Sequence, residues 1–315
     1  MEAIRLIDTR DLSREDWLKA RKLGIGGSDI GAILGINNWK SAIDIWMDKT
    51  DQSEDGEQSE AAYWGNMLEE LVAKEFEIRT AEEGNPIKVR RCNAILQHPE
   101  IPYMLANVDR LIVGQDVGLE CKTTSAYNNS EWEDDKLPDS YYLQCQHYMA
   151  VTGYKSWYIA VLIGGQKFKY KLVERDEEMI KIIFERAAEF WKHVENKTMP
   201  SVNGTEACTA ALKKLFPEGN GNSIELPDTA DIYIKQYEQA DFEERAAKER
   251  KTEAQNTLQN MLGENESGTI AGRLVNWKTT KGRSTFDSKT FGKAYPDLCK
   301  QYTNDGVPSR RFSIK

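Results

Sequence analysis

The sequence predicts a mixed α/β fold, with a sheet held between helices, followed by a helical and β accessory region. Three observations carry that prediction. Helical spacing of apolar residues alternates with short extended runs over residues 1–199; residues 200–227 are rich in Gly, Asn, Ser and Pro; and residues 228–315 combine one long helical stripe with a basic tail. At 315 residues, 40% hydrophobic and 30% charged, the chain is neither disordered nor fibrous, and it is long enough to bury a substantial core.

The elements follow in order. Glycines 24, 26, 27, 31 and 35 surround a short apolar segment in which Ser28 or Asp29 can cap a helix, and the acidic stretch 48–60 reads as a surface loop. Leu68, Leu71, Val72 and Phe76 recur at helical spacing over 63–80, on a helix whose inner face also holds Glu69. Three extended runs, 87–95, 104–113 and 117–124, are punctuated by Pro102, Gly114 and Gly118 and predict a meander. A helix over 141–152 precedes strands at 157–163 and 168–173, and a long helix over 176–196 closes the unit. Residues 200–227 then read as a connector.

Beyond it, Tyr233, Tyr237, Ala240, Ala247, Ala254, Leu258 and Met261 follow a four-three heptad spacing broken by Glu244 and Lys251. The tail offers a strand-like run at 269–278, a basic turn at 279–283, a helix capped by Asp287 and a final extended segment at 310–315. From Gly268 to Lys315 there are ten basic and three acidic residues, a net +7 within a chain of net charge −9. Lys281, Arg283, Arg310 and Arg311 therefore read either as a DNA contact or as a dock for an acidic partner.

Composition also excludes. The five cysteines are scattered with no CxxC pair, which argues against a zinc or iron–sulfur centre and for free thiols. No apolar stretch approaches the roughly 18 residues of a membrane span, and the expected location is cytoplasmic.

The chemistry concentrates in the meander, where Asp109 ends one run and Glu120-Cys121-Lys122 lies in the next. Strand alternation places Glu120 and Lys122 on one face and Cys121 on the other, and a hairpin brings Asp109 beside Glu120. Two carboxylates about 4 Å apart repel by roughly 4 kcal/mol at an effective dielectric of 20, so the pair wants a cation or a shared proton. An oxygen cluster with few protein ligands suits Mg²⁺, with Mn²⁺ as the alternative. Gln144 and Tyr148, four residues apart on the next helix, and Glu69 on the preceding one converge on the same site.

The segments RKLGIGGSDIGAILG from Arg21, WGNMLEELVAKEF from Trp64, ANVDRLI from Ala106, GLECKTT from Gly118 and YYLQCQHYMAVTG from Tyr141 resemble the PD-(D/E)xK nuclease superfamily. Within it they resemble the YqaJ-type viral recombinase family, related to lambda exonuclease and the RecB nuclease domain. The resemblance covers roughly residues 15 to 200 and implies a restriction-endonuclease-like core with a central mixed sheet flanked by helices. It implies that Asp109, Glu120 and the backbone carbonyl of Cys121 ligate the metal, that Lys122 serves the nucleophilic water, and that Glu69, Gln144 and Tyr148 complete the catalytic set. Arg21, Ser28, Asp29 and Gln146 would contact phosphate or DNA.

The implied activity is a metal-dependent exonuclease that resects double-stranded DNA ends in the 5′ to 3′ direction for a RecT-like or Redβ-like single-strand annealing protein. A homo-oligomer, in ring form for relatives of the lambda type, is implied as well. The alternatives are a structure- or site-selective endonuclease of the same fold, and a catalytically silent DNA-binding recombination scaffold.

Overall fold

The computed structural model describes residues 2–52, 59–304, 306 and 309–314. Residues 53–58 of the expected acidic loop and Lys315 lie outside that range. The chain divides into two compact units, Met1–Phe216 and Pro217–Lys315. Among the described residues no helix is long and apolar enough to cross a membrane, and all five cysteines are free.

The first unit opens with β1 (Ile4–Asp8) and α1 (Arg14–Lys22), the latter capped by Ser13, which accepts from the Asp16 amide. Two short helices follow, α2 (Gly27–Ile33) and α3 (Ala42–Lys49). The second was not anticipated, although Ser41 and Asp44 form a capping box three residues apart, a signal legible in the sequence. Helix α4 (Glu60–Glu82) buries Val72 and Phe76 as the spacing predicts and Ala73 beside them, while Leu68 is half-buried and Leu71 faces outward at 57% exposure. Burying Phe76 alone contributes about 1.5–3 kcal/mol.

The extended runs then diverge from a simple meander. The first breaks into β2 (Val89–Arg91) and β3 (Ala94–Gln97), the second into β4 (Leu105–Ala106) and β5 (Arg110–Ile112), while β6 (Val117–Thr124) stays whole. Strands β1, β3 and β4 form one antiparallel sheet; β2 and β5 join a second. An apolar run signals extended chain but not its hydrogen-bonding neighbour, and here the chain changes sheet at residues 92–93 and again at 107–109.

The larger sheet is five-stranded and mixed, in the order β2-β5-β6-β7-β8, with β7 at Ser156–Ile163 and β8 at Lys167–Glu174. Only β6 and β7 are parallel. Parallel neighbours need a crossover, which a short 3-10 turn (Ala126–Trp132) and α5 (Asp139–Thr152) supply. Helix α4 covers one face of the sheet, where Val72, Ala73 and Phe76 pack with Ile112, Leu119 and Ala160. The opposite face carries the main core, to which α5 and α6 (Glu177–Glu195) contribute Leu143, Met149, Ile183 and Phe190. Gly118 is required there, because a Cβ would fall 2.1 Å from the Trp157 indole on β7.

The segment expected as a connector contains α7 (Glu206–Leu215), whose small residues Ala207, Cys208 and Ala211 are buried in the first unit. Small residues give little hydrophobic signal, yet they let a helix sit close. The second unit holds α8 (Ala230–Leu262), 33 residues or about 50 Å long, then β9 (Ser267–Ile270), β10 (Arg273–Asn276), α9 (Ser288–Ala294) and α10 (Pro296–Gln301). The run expected as one strand is a hairpin, turned by Ala271 and Gly272 at φ 47° and 75°. Asp287 caps α9 as expected, while 310–314 have no strand pairing.

Candidate active site

The hairpin register decides which side chains meet. Arg110 pairs with Leu119 and Leu111 with Gly118, so the next position places Asp109 across from Glu120 at the end of β5. The Asp109 carboxylate accepts a hydrogen bond from the Cys121 amide at 2.8 Å. On β6, Gly118, Glu120 and Lys122 share the face covered by α5, whereas Leu119 and Cys121 face the cluster beneath α4. The half-buried Cys121 thiol is thus directed away from the carboxylates, and its pKa is pushed up by burial. Any ligand from this residue is its main-chain carbonyl.

Glu120 is 3% exposed and tightly held. Its Oε1 accepts from Lys122 Nζ at 2.6 Å and from Gln144 Nε2 at 2.6 Å. Gln144 Nε2 also donates to the Tyr148 hydroxyl at 2.7 Å, and that hydroxyl donates to the Asn107 carbonyl at 3.0 Å. The four-residue spacing on α5 thus forms a chain from β6 to the segment before Asp109. Lys122 Nζ lies 4.9 Å from the centre of the Tyr141 ring, a cation–π contact.

Three carboxylates crowd this corner. Burial raises the pKa of Asp109 well above the usual carboxylate range, and Glu120 and Glu69 push it the same way. For Lys122 burial works to lower the pKa, but Glu120 and Asp109 outweigh it and hold the ammonium charged. Glu69 is ion-paired with Arg110, which also meets Glu70 at 2.9 Å. Arg110 was missed by the sequence reading; its signal is its place beside Asp109, and only 4% of its side chain is exposed. A cleft of about 340 Å³ opens here, lined by Glu69, Asn107, Asp109 and Arg110 together with Trp17 of α1.

The donor set can be tested for a cation. Among the described residues no three His, Cys, Asp or Glu side chains form a ready-made cage. Glu120 Oε2, however, is buried without a hydrogen-bond partner beside the half-buried carboxylate of Asp109. An orphaned carboxylate oxygen and a proton-retaining neighbour suit a hard divalent ion that takes few protein ligands and completes its shell with water and phosphate.

The glycine-rich segment reaches the same corner. Gly27 lies against Tyr148, where a Cβ would fall 2.6 Å from the ring, so the start of α2 approaches α5 only with glycine there. Arg21 donates to Ser28 Oγ at 3.0 Å and stacks over Trp17 at 4.8 Å. Two expectations need correction. Asp29 is turned inward and not presented to solvent: it is buried, accepts from the Gly26 amide at 2.9 Å in a capping box, and pairs with Lys49 at 2.9 Å. The charges of Lys49 and Arg21 overcome burial and hold its pKa low. Neither it nor Ser28 is the N-cap residue, which is Gly26. Gln146 is 0% exposed, donates to the Glu174 carbonyl and accepts from the Asp176 amide, and so secures α5 to β8 and α6 instead of reaching a ligand.

Lys281, Arg283, Arg310 and Arg311 are exposed residues of the second unit.

The model of the YqaJ-like viral recombinase domain matches residues 16–155, which include Asp109, Glu120, Lys122, Gln144 and Tyr148. The uncharacterized protein YqaJ of Bacillus subtilis (strain 168) is 42% identical, over 98% of this chain and 97% of that protein. The chain belongs to the YqaJ-like viral recombinase family. Among solved structures, this YqaJ-like chain is similar to an alkaline exonuclease from Laribacter hongkongensis (18% identity, 58% of this chain and 93% of that one, TM-score 0.47). It is also similar to the same enzyme in complex with dAMP (20% identity, 58% and 93%, TM-score 0.49) and to a phage-related exonuclease from Haemophilus somnus 129PT (14% identity, 57% and 97%, TM-score 0.42).

Proposed function

We propose that this YqaJ-like protein is a divalent-metal-dependent deoxyribonuclease, of the 5′ to 3′ exonuclease kind that resects duplex DNA ends for a RecT-like or Redβ-like single-strand annealing protein. The observation that carries the reading is the convergence of Asp109, Glu120 and Lys122, with Glu120 clamped by Gln144 and left with one unpartnered oxygen. Membership of a recombinase family and the motif resemblance support DNA as the substrate.

Asp109 and Glu120 would hold Mg²⁺ or Mn²⁺, which when bound offsets charge on the phosphate and lowers the pKa of water. The chain's own groups then have defined tasks. Lys122, held protonated by its acidic neighbours, acts as a donor that orients the attacking water and offsets developing negative charge; it does not accept the proton in that state. Gln144 and Tyr148 fix the carboxylate of Glu120 and so keep its free oxygen aimed. Arg110 neutralises Glu69 and limits the repulsion around Asp109. Arg21 and Ser28 supply a guanidinium and a hydroxyl for a terminal phosphate.

Digestion of linear duplex DNA labelled at either end tests this, with wild type and Lys122→Ala, in Mg²⁺ and in EDTA. The expected result is release of the 5′ label as mononucleotides that depends on both metal and Lys122, with a loss of about 100- to 1000-fold in the variant. Intact linear duplex after wild-type treatment in Mg²⁺ and Mn²⁺, or equal rates for the variant, would sink the proposal. Cleavage of circular duplex would move the reading to an endonuclease.

A further inference from the structure

The crossover between β6 and α5 packs on the sheet face that carries Glu120 and Lys122, and the edge strand β8 ties it down. On β8, Lys167, Lys169 and Lys171 alternate onto that face, in register with Ile163, Val161 and Ile159 of β7 and through them with Thr124, Lys122 and Glu120 of β6. Their ammonium groups reach the crossover. Lys167 Nζ donates to Asn129 Oδ1 at 2.9 Å, Lys169 Nζ to the Trp132 carbonyl at 2.9 Å, and Lys171 Nζ to the Asp134 and Lys136 carbonyls. We propose that Lys169 and Trp132 are positioning residues for Lys122, acting through the ring of Tyr141.

The contacts form a chain. Trp132 ends the 3-10 turn and is 1% exposed; its ring lies 5.7 Å from that of Tyr141, and the Tyr141 ring lies 4.9 Å from Lys122 Nζ. Tyr141 belongs to the first turn of α5, whose N-cap is Pro138, with no side chain bonded to the free amides. That turn therefore takes its place from what it packs on. Asp134 holds φ 51°, in the left-handed region that a residue with a Cβ seldom adopts, so the crossover keeps this path through its ties to β8.

The Trp132 indole N–H is buried without a hydrogen-bond partner, an expense that a phenyl or leucyl side chain would avoid. What the indole adds is the breadth of ring that meets Tyr141. Lys122 needs such a backing, because its ammonium is a compact charge on a flexible stem, held here by Glu120 Oε1 and the face of Tyr141 with 20% of the side chain still exposed. Freeing Trp132 lets the Tyr141 ring turn away, and the ammonium loses one of its two holds. The effect on turnover rests on the nuclease reading; the hold on the Lys122 ammonium does not.

Nuclear magnetic resonance of the full chain carrying isotope-labelled lysine, in EDTA, reads that hold directly. The ε-methylene protons of Lys122, assigned by their loss in Lys122→Arg, are expected upfield in the ring current of Tyr141. Lys169→Met and Trp132→Leu are expected to move the signal to the position of exposed lysines, and Lys169→Arg, which restores a donor to the Trp132 carbonyl, to keep it upfield. In digestion of linear duplex with Mg²⁺, the first two variants are expected to lose about 10- to 100-fold in kcat with KM within about twofold, and Lys169→Arg to recover most of the loss. Circular dichroism identifies any variant that has not folded; should Trp132→Leu be one, Lys169→Met decides. A folded Lys169→Met that keeps the upfield signal, or that raises KM at unchanged kcat, would overturn the proposal, as would a wild-type Lys122 signal already at the exposed position. A wild type that cuts no DNA would instead sink the nuclease reading, and the Lys122 signal would still decide whether Lys169 and Trp132 hold that side chain.

Discussion

Helix α5 buries ten of its 14 residues, whereas α8 buries one of its 33. Both look amphipathic at best, and α5 even carries Gln144, Gln146 and His147 in its middle. The difference lies in what surrounds them. The parallel pairing of β6 and β7 forces α5 across the sheet as their crossover, so its polar residues are enclosed and must find partners, which Glu120, the Glu174 carbonyl and the Leu105 carbonyl supply. Helix α8 has no such constraint and keeps its charges in solvent. Enclosed polar groups become positioning devices; solvated ones do not.

That contrast can be broken at several points. The largest effect is expected for Lys49→Met, which leaves Asp29 as a buried charge without its closest cation beneath α2 and should cost about 3–5 kcal/mol in urea unfolding. A matched Lys248→Met on α8 should change little. The Asp29 pKa is lowered on folding, so its contribution is fully present above the unfolded value near pH 4 and is lost as pH falls through the folded one. The stability gap between wild type and Asp29→Asn should therefore narrow in acid, and a gap that grows below pH 4 would contradict the pairing. Next comes Gly27→Ala, where the close approach to Tyr148 predicts about 1–3 kcal/mol of destabilisation and a loss of activity.

Smaller effects sharpen the comparison. Tyr148→Phe strands the Asn107 carbonyl and one Gln144 donor, and should cost about 1–2 kcal/mol while lowering turnover more than substrate affinity. Tyr237→Phe on α8 is the control. Glu249→Ala, on the exposed helix outside its stripe, should stay within about 0.5 kcal/mol; a larger loss would mean that α8 is not the solvated element described above.

Much of the site could be read in advance. The D…ExK spacing and strand alternation placed Glu120 and Lys122 together and Cys121 apart, and the four-residue step from Gln144 to Tyr148 needed only a helix to become a hydrogen-bonded pair. The misreadings share one cause. Asp29 and Gln146 are polar residues beside the candidate site residues, and sequence proximity cannot tell a side chain that faces a cleft from one that finishes a cap or secures a helix. Arg110 and Lys49 were overlooked for the converse reason, since a basic residue shows its importance only when the acid that it neutralises is known.

The sequence by itself determined α4, α5, α6, β6, β7 and β8, the opposition of Asp109 and Glu120, and the family, because periodicity and motif spacing are local properties of the backbone. The tertiary structure decided the division of the extended runs between two sheets, the burial of α7 and the pairing of Arg110 with Glu69. Those depend on which distant surfaces meet. A strand's free hydrogen-bonding edge and a charged side chain's partner are chosen by the whole packed chain.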